Sequence, residues 1–197
     1  MSFDLSVFSN KNIILAVTGG IAAYKSAILV RRLKDYGFNV RVVMTKGAQA
    51  FITPLTFQAL SGNPVHTELL DPEAEAGMGH IELARWADLI LVAPASCDTI
   101  AKFAAGLADD LLSTLYLATK APVWVAPAMN QQMWAAKPTQ RNLNTLVEDG
   151  VHVIMPEAGS QACGDVGLGR MPEPEDLAEQ VKNYFQQAQR AIAEKFG

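Results

Sequence analysis

Short apolar runs alternate along the chain with longer segments in which apolar residues recur at helical spacing. Five runs have the length and composition of buried strands, at residues 12–18, 38–44, 88–93, 122–126 and 151–155. Runs that stay apolar, without a polar residue at every second position, are typical of parallel strands covered on both faces. The alternation predicts an α/β fold with a single doubly wound, mostly parallel sheet and helices on both faces, as in Rossmann and flavodoxin-like proteins.

The first run continues through Gly19 and Gly20 into an amphipathic helix that ends near Gly37. The apolar stripe of this helix contains Ala22, Leu29, Val30, Leu33 and Tyr36. A glycine pair at a strand-to-helix turn lets a ligand approach the backbone, and free N–H groups in the first helical turn attract an anion. TGGIA matches neither the dinucleotide fingerprint nor a P-loop, so the phosphate of a mononucleotide such as FMN fits better. Alternatively, the glycines serve a tight turn for steric reasons alone.

Polar residues follow the second and third predicted strands, at the edge where α/β sheets usually bind ligands. Thr45 follows the second strand, and it either caps the next helix or offers its hydroxyl to a ligand. Ser96, Asp98 and Thr99 follow the third strand, and the same two interpretations apply to them. These strand ends are therefore candidate ligand contacts with a capping alternative.

The fourth strand is followed by Asn130, Met133 and Trp134. An amide offers both a donor and an acceptor, and in an apolar wall it suits a pocket for a small polar group. The methionine and the tryptophan equally suit an ordinary core. Phe51 and Phe57, in the helical segment after the second strand, are predicted to be core residues.

Two glycine-bearing segments carry further reactive side chains. Residues 61–79 read as a loop that delivers His80 to the start of a short helix, where it is either a catalytic base or a surface or capping residue. Residues 157–172 hold four glycines and Cys163, and they are predicted to be a poorly ordered connection or a lid. A final helix is predicted over residues 174–196 as a cover for the sheet.

Composition narrows the class of protein. The 197 residues are 50% hydrophobic with a net charge of −4, which predicts one domain over residues 1–197, with 1–10 as an N-terminal extension. The absence of a dense Lys/Arg cluster argues against a nucleic-acid partner. Without a signal-like start or a run of about 18 apolar residues, no membrane association and a cytoplasmic location are expected. Cys97 and Cys163 are predicted to be free thiols, and no Cys/His spacing indicates a metal site.

Longer motifs resemble those of the flavin-containing cysteine decarboxylases, and most closely those of the bacterial phosphopantothenoylcysteine decarboxylases of coenzyme A biosynthesis. They are GGIAAYK at residues 19–25, AFITPLTFQALSG at 50–62, GHIELARWADL at 79–89, PAMNQQMW at 127–134, and GSQACGD with GRM at 159–171. The resemblance covers residues 11–177. It implies an FMN-dependent decarboxylase (a lyase) acting on 4′-phosphopantothenoylcysteine.

The resemblance also implies residue roles. The FMN contacts would be Gly19, Gly20, Ile21, Thr45, Lys46, Ser96, Cys97, Asp98, Thr99 and Ala128. His80 would be the base, Asn130 would bind the substrate carboxylate, and Cys163 would donate a proton. The substrate would also contact Met133, Ala162 and Arg170.

One motif departs from the family. The family segment PASANT reads PASCDT here, with Cys97 in place of alanine and Asp98 in place of asparagine. A carboxylate only accepts hydrogen bonds where an amide also donates, so the contact made by Asp98 differs from that of the family. Cys97 is interpreted as a small buried residue rather than a reactive one.

The implied chemistry is redox-neutral. Transient oxidation of the cysteine moiety to a thioaldehyde provides an electron sink, CO₂ leaves, and return of the hydride gives 4′-phosphopantetheine. Two alternatives are a decarboxylase of C-terminal cysteine in peptides and a flavodoxin-like electron carrier, although a carrier has no need of a histidine, an asparagine and a cysteine in one site. The PAMNQQMW and GSQACGD segments argue against a flavin prenyltransferase.

The resemblance extends to assembly. It implies homotrimers with active sites at subunit contacts, which in bacterial members combine into homododecamers. In many bacteria a CTP-dependent phosphopantothenate–cysteine ligase follows the same domain, so the chain either acts alone or forms the N-terminal part of a bifunctional protein.

Overall fold

The computed structural model describes residues 8–70 and 79–196 and confirms the α/β fold. The strands are β1 Asn12–Val17, β2 Asn39–Met44, β3 Val65–His66, β4 Leu89–Ala95, β5 Val123–Pro127, β6 His152–Val153, β7 Glu157–Ser160 and β8 Val166–Arg170. The first six form a parallel sheet in the order β3-β2-β1-β4-β5-β6. The predicted doubly wound topology is therefore correct.

Helices cover both faces of this sheet. They are α1 Ala23–Asp35, α2 Pro54–Ser61, α3 His80–Trp86, α4 Cys97–Ala105, α5 Leu111–Ala118, α6 Gln131–Ala135, α7 Lys137–Glu148 and α8 Pro174–Phe196, with a 3₁₀ turn at Ala48–Ala50. In the part of the chain that the structure describes, no helix is long and apolar enough to cross a membrane.

The central strand β1 shows why the strand sequences lack alternation. Ile13, Leu15 and Val17 face the cluster formed with α1 and α8, whereas Ile14 and Ala16 face the cluster formed with α4, α5 and α7. All five side chains are fully buried. Because both sides of the sheet are covered, every position in such a strand requires an apolar residue.

Several local predictions are corrected. The predicted loop at residues 61–79 contains β3, whose two residues are too few to show a period. Phe51 is 54% exposed rather than part of the core, whereas Phe57 is buried as predicted. Residues 1–7 of the predicted N-terminal extension and residues 71–78 of the predicted loop lie outside the described residues.

The glycine-rich segment at residues 157–172 is an ordered β-hairpin rather than a loose connection. Its strands β7 and β8 pair antiparallel, and Gly164 occupies the turn with a φ of 90°. The four glycines led to the expectation of a poorly ordered connection or a lid, but in the fold they permit a tight turn and close packing, and the role of a lid stays a prediction. Residues 157–170 are called the hairpin below.

The strand order fixes where a ligand site is expected. From β1 the chain proceeds to β2 on one side, and from β4 it proceeds to β5 on the other, so β1 and β4 flank the topological switch point. Thr18 connects their carboxyl ends, since its buried hydroxyl donates to the Pro94 carbonyl at 2.6 Å and accepts from the Ser96 N–H at 2.8 Å. The two turns that follow these strands are thereby held side by side.

Candidate functional site

A cavity of about 510 Å³ opens at the carboxyl ends of β1 and β4. It is lined by Gly19, Gly20, Ile21, Ala22, Tyr24 and Lys25 after β1, by Ser96 and Cys97 after β4, by Ala128, Met129, Asn130 and Met133 after β5, and by Ser160, Gln161, Ala162, Cys163, Gly169, Arg170 and Met171 of the hairpin and its end. Its volume is in the range of about 300–1,000 Å³ that is usual for small-molecule and cofactor sites. Segments distant in sequence meet here because parallel strands end at one edge.

A second cavity, of about 590 Å³, lies between the ends of α4, α5 and α7 and includes Phe103, Tyr116 and Asp149. It is at the amino ends of β5 and β6, opposite the edge at which ligands bind in α/β sheets. None of the predicted site residues lines it. The cavity at the switch point is therefore the candidate functional site.

The two glycines after β1 have different roles. A Cβ on Gly19 would lie 3.1 Å from the backbone carbon of Gly47, so this glycine allows two backbones to pack together. A Cβ on Gly20 would meet no atom within 4 Å. The steric explanation therefore applies to Gly19, whereas Gly20 leaves space on the cavity side.

The start of α1 offers backbone donors to the cavity. The N–H groups of Ala23, Tyr24 and Lys25 donate to the carbonyls three residues earlier. Within the described residues, the N–H groups of Gly20 and Ile21 have no backbone acceptor. Unpaired backbone N–H groups directly before the 13-residue helix α1 can donate hydrogen bonds to a phosphate group.

Some of the polar residues after β4 line the cavity, and others lie in the first turn of α4 outside it. Ser96 is the N-cap of α4, where its hydroxyl accepts from the Thr99 N–H at 3.2 Å, and both Ser96 and Cys97 line the cavity. Asp98 is exposed and lies 3.7 Å from Lys102, while Thr99 is buried. Neither Asp98 nor Thr99 lines the cavity.

Three other predicted site residues, Thr45, Lys46 and His80, do not line this cavity either. Thr45 accepts a hydrogen bond from the Ala48 N–H at 3.3 Å, at the start of the 3₁₀ turn whose N-cap is Gly47, and Lys46 is exposed beside it. His80 begins α3 as predicted, and it does not line the cavity.

Asn130 is held with its amide in one orientation. Its Oδ1 accepts from the Gln132 N–H at 2.8 Å and thereby caps α6. Because the oxygen is used in this way, the NH₂ group points toward the hairpin, where it donates to Asp165 Oδ2 at 2.8 Å and to Cys163 Sγ at 3.4 Å. The predicted carboxylate-binding asparagine and the predicted proton-donating cysteine are therefore in contact.

The hairpin is attached to the segment after β5 mainly through Gln161. The side chain of Gln161 accepts from the Gln131 N–H at 3.0 Å and donates to the Met129 carbonyl at 3.2 Å. The Met129 N–H in turn donates to the Gly169 carbonyl at 2.9 Å. These bonds fix the hairpin against the residues that carry Asn130.

Two cations lie beside the cavity and share one carboxylate. Lys25 is buried and donates to the Met171 carbonyl at 3.0 Å and to Glu173 Oε1 at 2.7 Å, and Arg170 Nη2 lies 3.5 Å from the same oxygen. The three side chains together carry an excess positive charge, which suits an anionic substituent on a ligand. Lys25 lies off the apolar stripe of α1, and its buried ammonium group is bound by Met171 and Glu173, which follow the hairpin.

The two cysteines are free thiols, as predicted. Cys97 is half-buried, with its Sγ 3.3 Å from the Thr139 hydroxyl, whereas Cys163 is exposed. Across the described residues, no group of three or more His, Cys, Asp or Glu side chains is placed to hold a metal ion.

Sequence reasoning missed Thr18, Lys25, Gln161 and Asp165. Thr18 gave no usable signal, because its partners are distant in sequence. Lys25 lies inside the GGIAAYK motif, which does not indicate its distant partners Met171 and Glu173. Gln161 and Asp165 both lie inside the GSQACGD motif, where polar residues flank the cysteine. Their position in that motif was the one available indication of a role.

Comparisons with known proteins point to flavin enzymes. The model of the family described as Flavoprotein matches residues 5–186. The chain is 59% identical over 182 residues to the coenzyme A biosynthesis bifunctional protein CoaBC of Vibrio vulnificus strain YJ016, covering 92% of this chain and 45% of that protein. The corresponding protein of Escherichia coli K12 is 58% identical over 177 residues, covering 90% and 44%. The chain thus spans about 45% of the length of these relatives.

Solved structures show the same fold. A cysteine-to-serine mutant of a PPC decarboxylase complexed with pantothenoylaminoethenethiol has a TM-score of 0.78 and 34% identity, covering 89% of this chain and 98% of that one. The FMN-binding protein AtHal3 has a TM-score of 0.77 and 34% identity, covering 90% and 98%.

The close fit of the hairpin yields a test at Gly169. Its φ is 138°, and a Cβ there would collide with the Met129 carbonyl oxygen. We expect Gly169→Ala to lower the free energy of unfolding and to displace the hairpin. Gly150→Ala is the matched control, since Gly150 has a φ of 86° and free space around it, so that only the backbone cost of about 1–2 kcal/mol applies.

Urea unfolding measures both variants. The collision, together with the less favourable backbone conformation at a φ of 138°, should add at least about 1 kcal/mol to the loss found for the control. Equal losses would show that the hairpin does not depend on contact with the Met129 carbonyl.

Proposed function

The chain belongs to the flavoprotein family, in the group that includes the PPC decarboxylases, and from that premise we propose that it is an FMN-dependent 4′-phosphopantothenoylcysteine decarboxylase of coenzyme A biosynthesis. The observation that carries the proposal is the contact of the Asn130 amide with Cys163 beside a cofactor-sized cavity. A carboxylate-binding donor and a proton-donating thiol are the two groups that the product-forming half of such a reaction requires.

The residues around the cavity fit FMN. The open space at Gly20 and the free amides of Gly20 and Ile21 suit the phosphate, while Ser96 and Cys97 after β4 and Ala128 after β5 line the remaining part of this wall of the cavity. When bound, FMN supplies the reversible removal and return of a hydride. Contacts of the flavin with Thr45, Lys46, Asp98 and Thr99 stay predictions.

The chain's own residues perform the acid–base and binding steps. Overall, the substrate loses its carboxylate as CO₂ and gains one proton at the same carbon. Asn130 donates a hydrogen bond to the substrate carboxylate, and Cys163 gives its proton to the carbon after CO₂ has left. The amide of Asn130 lies 3.4 Å from the sulfur, and it can therefore donate to the thiolate that remains.

His80 is the proposed base for the substrate thiol. Since it does not line the cavity of its own chain, we infer that an adjacent subunit supplies it, in keeping with the implied homotrimer. Ile21 and Tyr24 beside the cavity are 60% and 56% exposed, and such apolar surface suits a subunit contact. Assembly into a dodecamer and fusion to a ligase stay part of the same proposal.

A second candidate is decarboxylation of a peptide that ends in cysteine. It is favoured by the likeness to the FMN-dependent cysteine decarboxylase SpaF, at 31% identity and a TM-score of 0.72, covering 84% of this chain and 91% of that one. The excess positive charge of Lys25 and Arg170 beside the cavity favours the phosphorylated substrate.

Product analysis tests the proposal directly. The yellow protein is incubated separately with 4′-phosphopantothenoylcysteine and with a peptide ending in cysteine, without added reductant, and the products are identified by mass spectrometry. We expect loss of one CO₂ from the first substrate and formation of saturated 4′-phosphopantetheine. Conversion of the peptide alone would assign the second candidate, and no conversion of either would contradict decarboxylation.

Mixed oligomers test the placement of His80. His80→Asn and Cys163→Ser oligomers should each fail to form the saturated product. When the two variants are dissociated together and reassembled, some sites combine an intact histidine with an intact cysteine from different chains, and activity should return to a fraction of the wild-type rate. Reassembly of each variant alone is the control. Absence of any recovery in verified mixed oligomers would place His80 and Cys163 of one site on the same chain.

A further inference from the structure

Asp165 accepts a hydrogen bond from the NH₂ group that the proposed function assigns to the substrate carboxylate. The Asn130 NH₂ group donates to Asp165 Oδ2 at 2.8 Å, a shorter contact than the 3.4 Å to Cys163 Sγ. Asn130 Oδ1 accepts a hydrogen bond from the Gln132 N–H, and a flip of the amide would break this bond. A carboxylate of the protein therefore stands where the substrate carboxylate must bind.

The turn of the hairpin places Asp165 and Cys163 as one unit. The Gln161 N–H donates to the Asp165 carbonyl at 2.8 Å, and the Gly164 N–H donates to the Gln161 carbonyl at 2.9 Å. Gly164 has a φ of 90°, the left-handed conformation that such a tight turn requires. A movement that takes the Asp165 carboxylate away from Asn130 thus also moves the Cys163 thiol.

We propose that Asp165 is a positioning residue that occupies the Asn130 amide in place of the substrate carboxylate before binding and again after CO₂ has left. This inference rests on the proposed decarboxylase function. Two carboxylates beside one amide repel each other and compete for the same protons, so substrate and Asp165 exclude one another from this contact.

The exchange gives the reaction an order. Binding of the substrate carboxylate displaces Asp165 and moves Cys163 away from the carbon that it will later protonate. Departure of CO₂ leaves the amide without a partner, and Asp165 returns to it. The thiol then lies beside the same carbon and transfers its proton, and the sulfur regains a proton from solvent. Protonation therefore follows decarboxylation.

Asp165→Asn separates this role from a merely structural one. The variant keeps the size of the side chain and an acceptor oxygen, but it lacks the charge that competes with substrate. We expect KM for 4′-phosphopantothenoylcysteine to fall by roughly tenfold, because a neutral acceptor is the weaker competitor. The kcat for saturated product should fall as well, and a larger share of the decarboxylated product should be released as the unsaturated enethiol. Each such release would leave one flavin reduced, to be reoxidised by dissolved oxygen.

Glu157→Gln is the matched control, since it removes one exposed negative charge from the same hairpin outside the cavity. It should leave both constants unchanged. If the wild type converts the substrate and Asp165→Asn shows an unchanged or raised KM with fully saturated product, the role of Asp165 is overturned. If the wild type converts nothing, the proposed function fails, independently of Asp165.

A measurement on the wild-type protein tests the same proposal if the Asp165→Asn variant does not fold. Hydrogen exchange at the Gln161 and Gly164 amides is compared with two inert analogues bound, one carrying alanine in place of the substrate cysteine and the other an ethylamide that lacks the carboxylate. The alanine analogue should speed exchange in this turn at least about tenfold relative to the ethylamide, since it alone displaces Asp165. Equal protection with both analogues would contradict the displacement.

Discussion

The site depends on the Asn130 amide, whose oxygen and NH₂ group bind different partners. Its oxygen accepts from the Gln132 N–H and caps α6, which leaves the NH₂ group as a donor of fixed direction toward the hairpin. An amide free to turn would offer either end, and it would not distinguish a carboxylate from a donor. The cap thus gives a side chain of mixed character a single donor direction, in which Asp165 and Cys163 accept, and this donor is the one that the proposed function assigns to an anion.

The sheet determines where this amide lies. Strand order places the ends of β1 and β4 at the switch point, and Thr18 ties these ends together through the Pro94 carbonyl and the Ser96 N–H. The turn after β1 and the cavity-lining residues after β4 are therefore positioned by the main sheet. The hairpin is a separate antiparallel unit added at the edge, and Gln161 attaches it. The two walls of the cavity are thus built from different elements, the main sheet and the hairpin.

The sequence allowed much of this arrangement to be predicted, because buried parallel strands have an unmistakable composition and their ends share one edge. The GSQACGD motif placed Cys163 at the site, but it could not show that Gln161 binds across to Met129, since that contact depends on tertiary packing. Lys25 lies off the apolar stripe of its helix, although it is buried against the segment that follows the hairpin. Phe51 read as core because apolarity alone does not separate a core from an exposed surface. Contacts that join distant segments were the part that sequence patterns could not supply.

The most direct test exchanges the two side chains in the double variant Asn130→Asp/Asp165→Asn. The new carboxylate at position 130 can still accept from the Gln132 N–H and from the amide now at position 165, so cap and hairpin contact persist while the donor for a ligand carboxylate is lost. Calorimetry on the FMN-loaded protein should show at least about tenfold weaker binding of the alanine analogue and unchanged binding of the ethylamide. Unchanged affinity for the alanine analogue would contradict the assignment of Asn130 as the group that recognises the carboxylate.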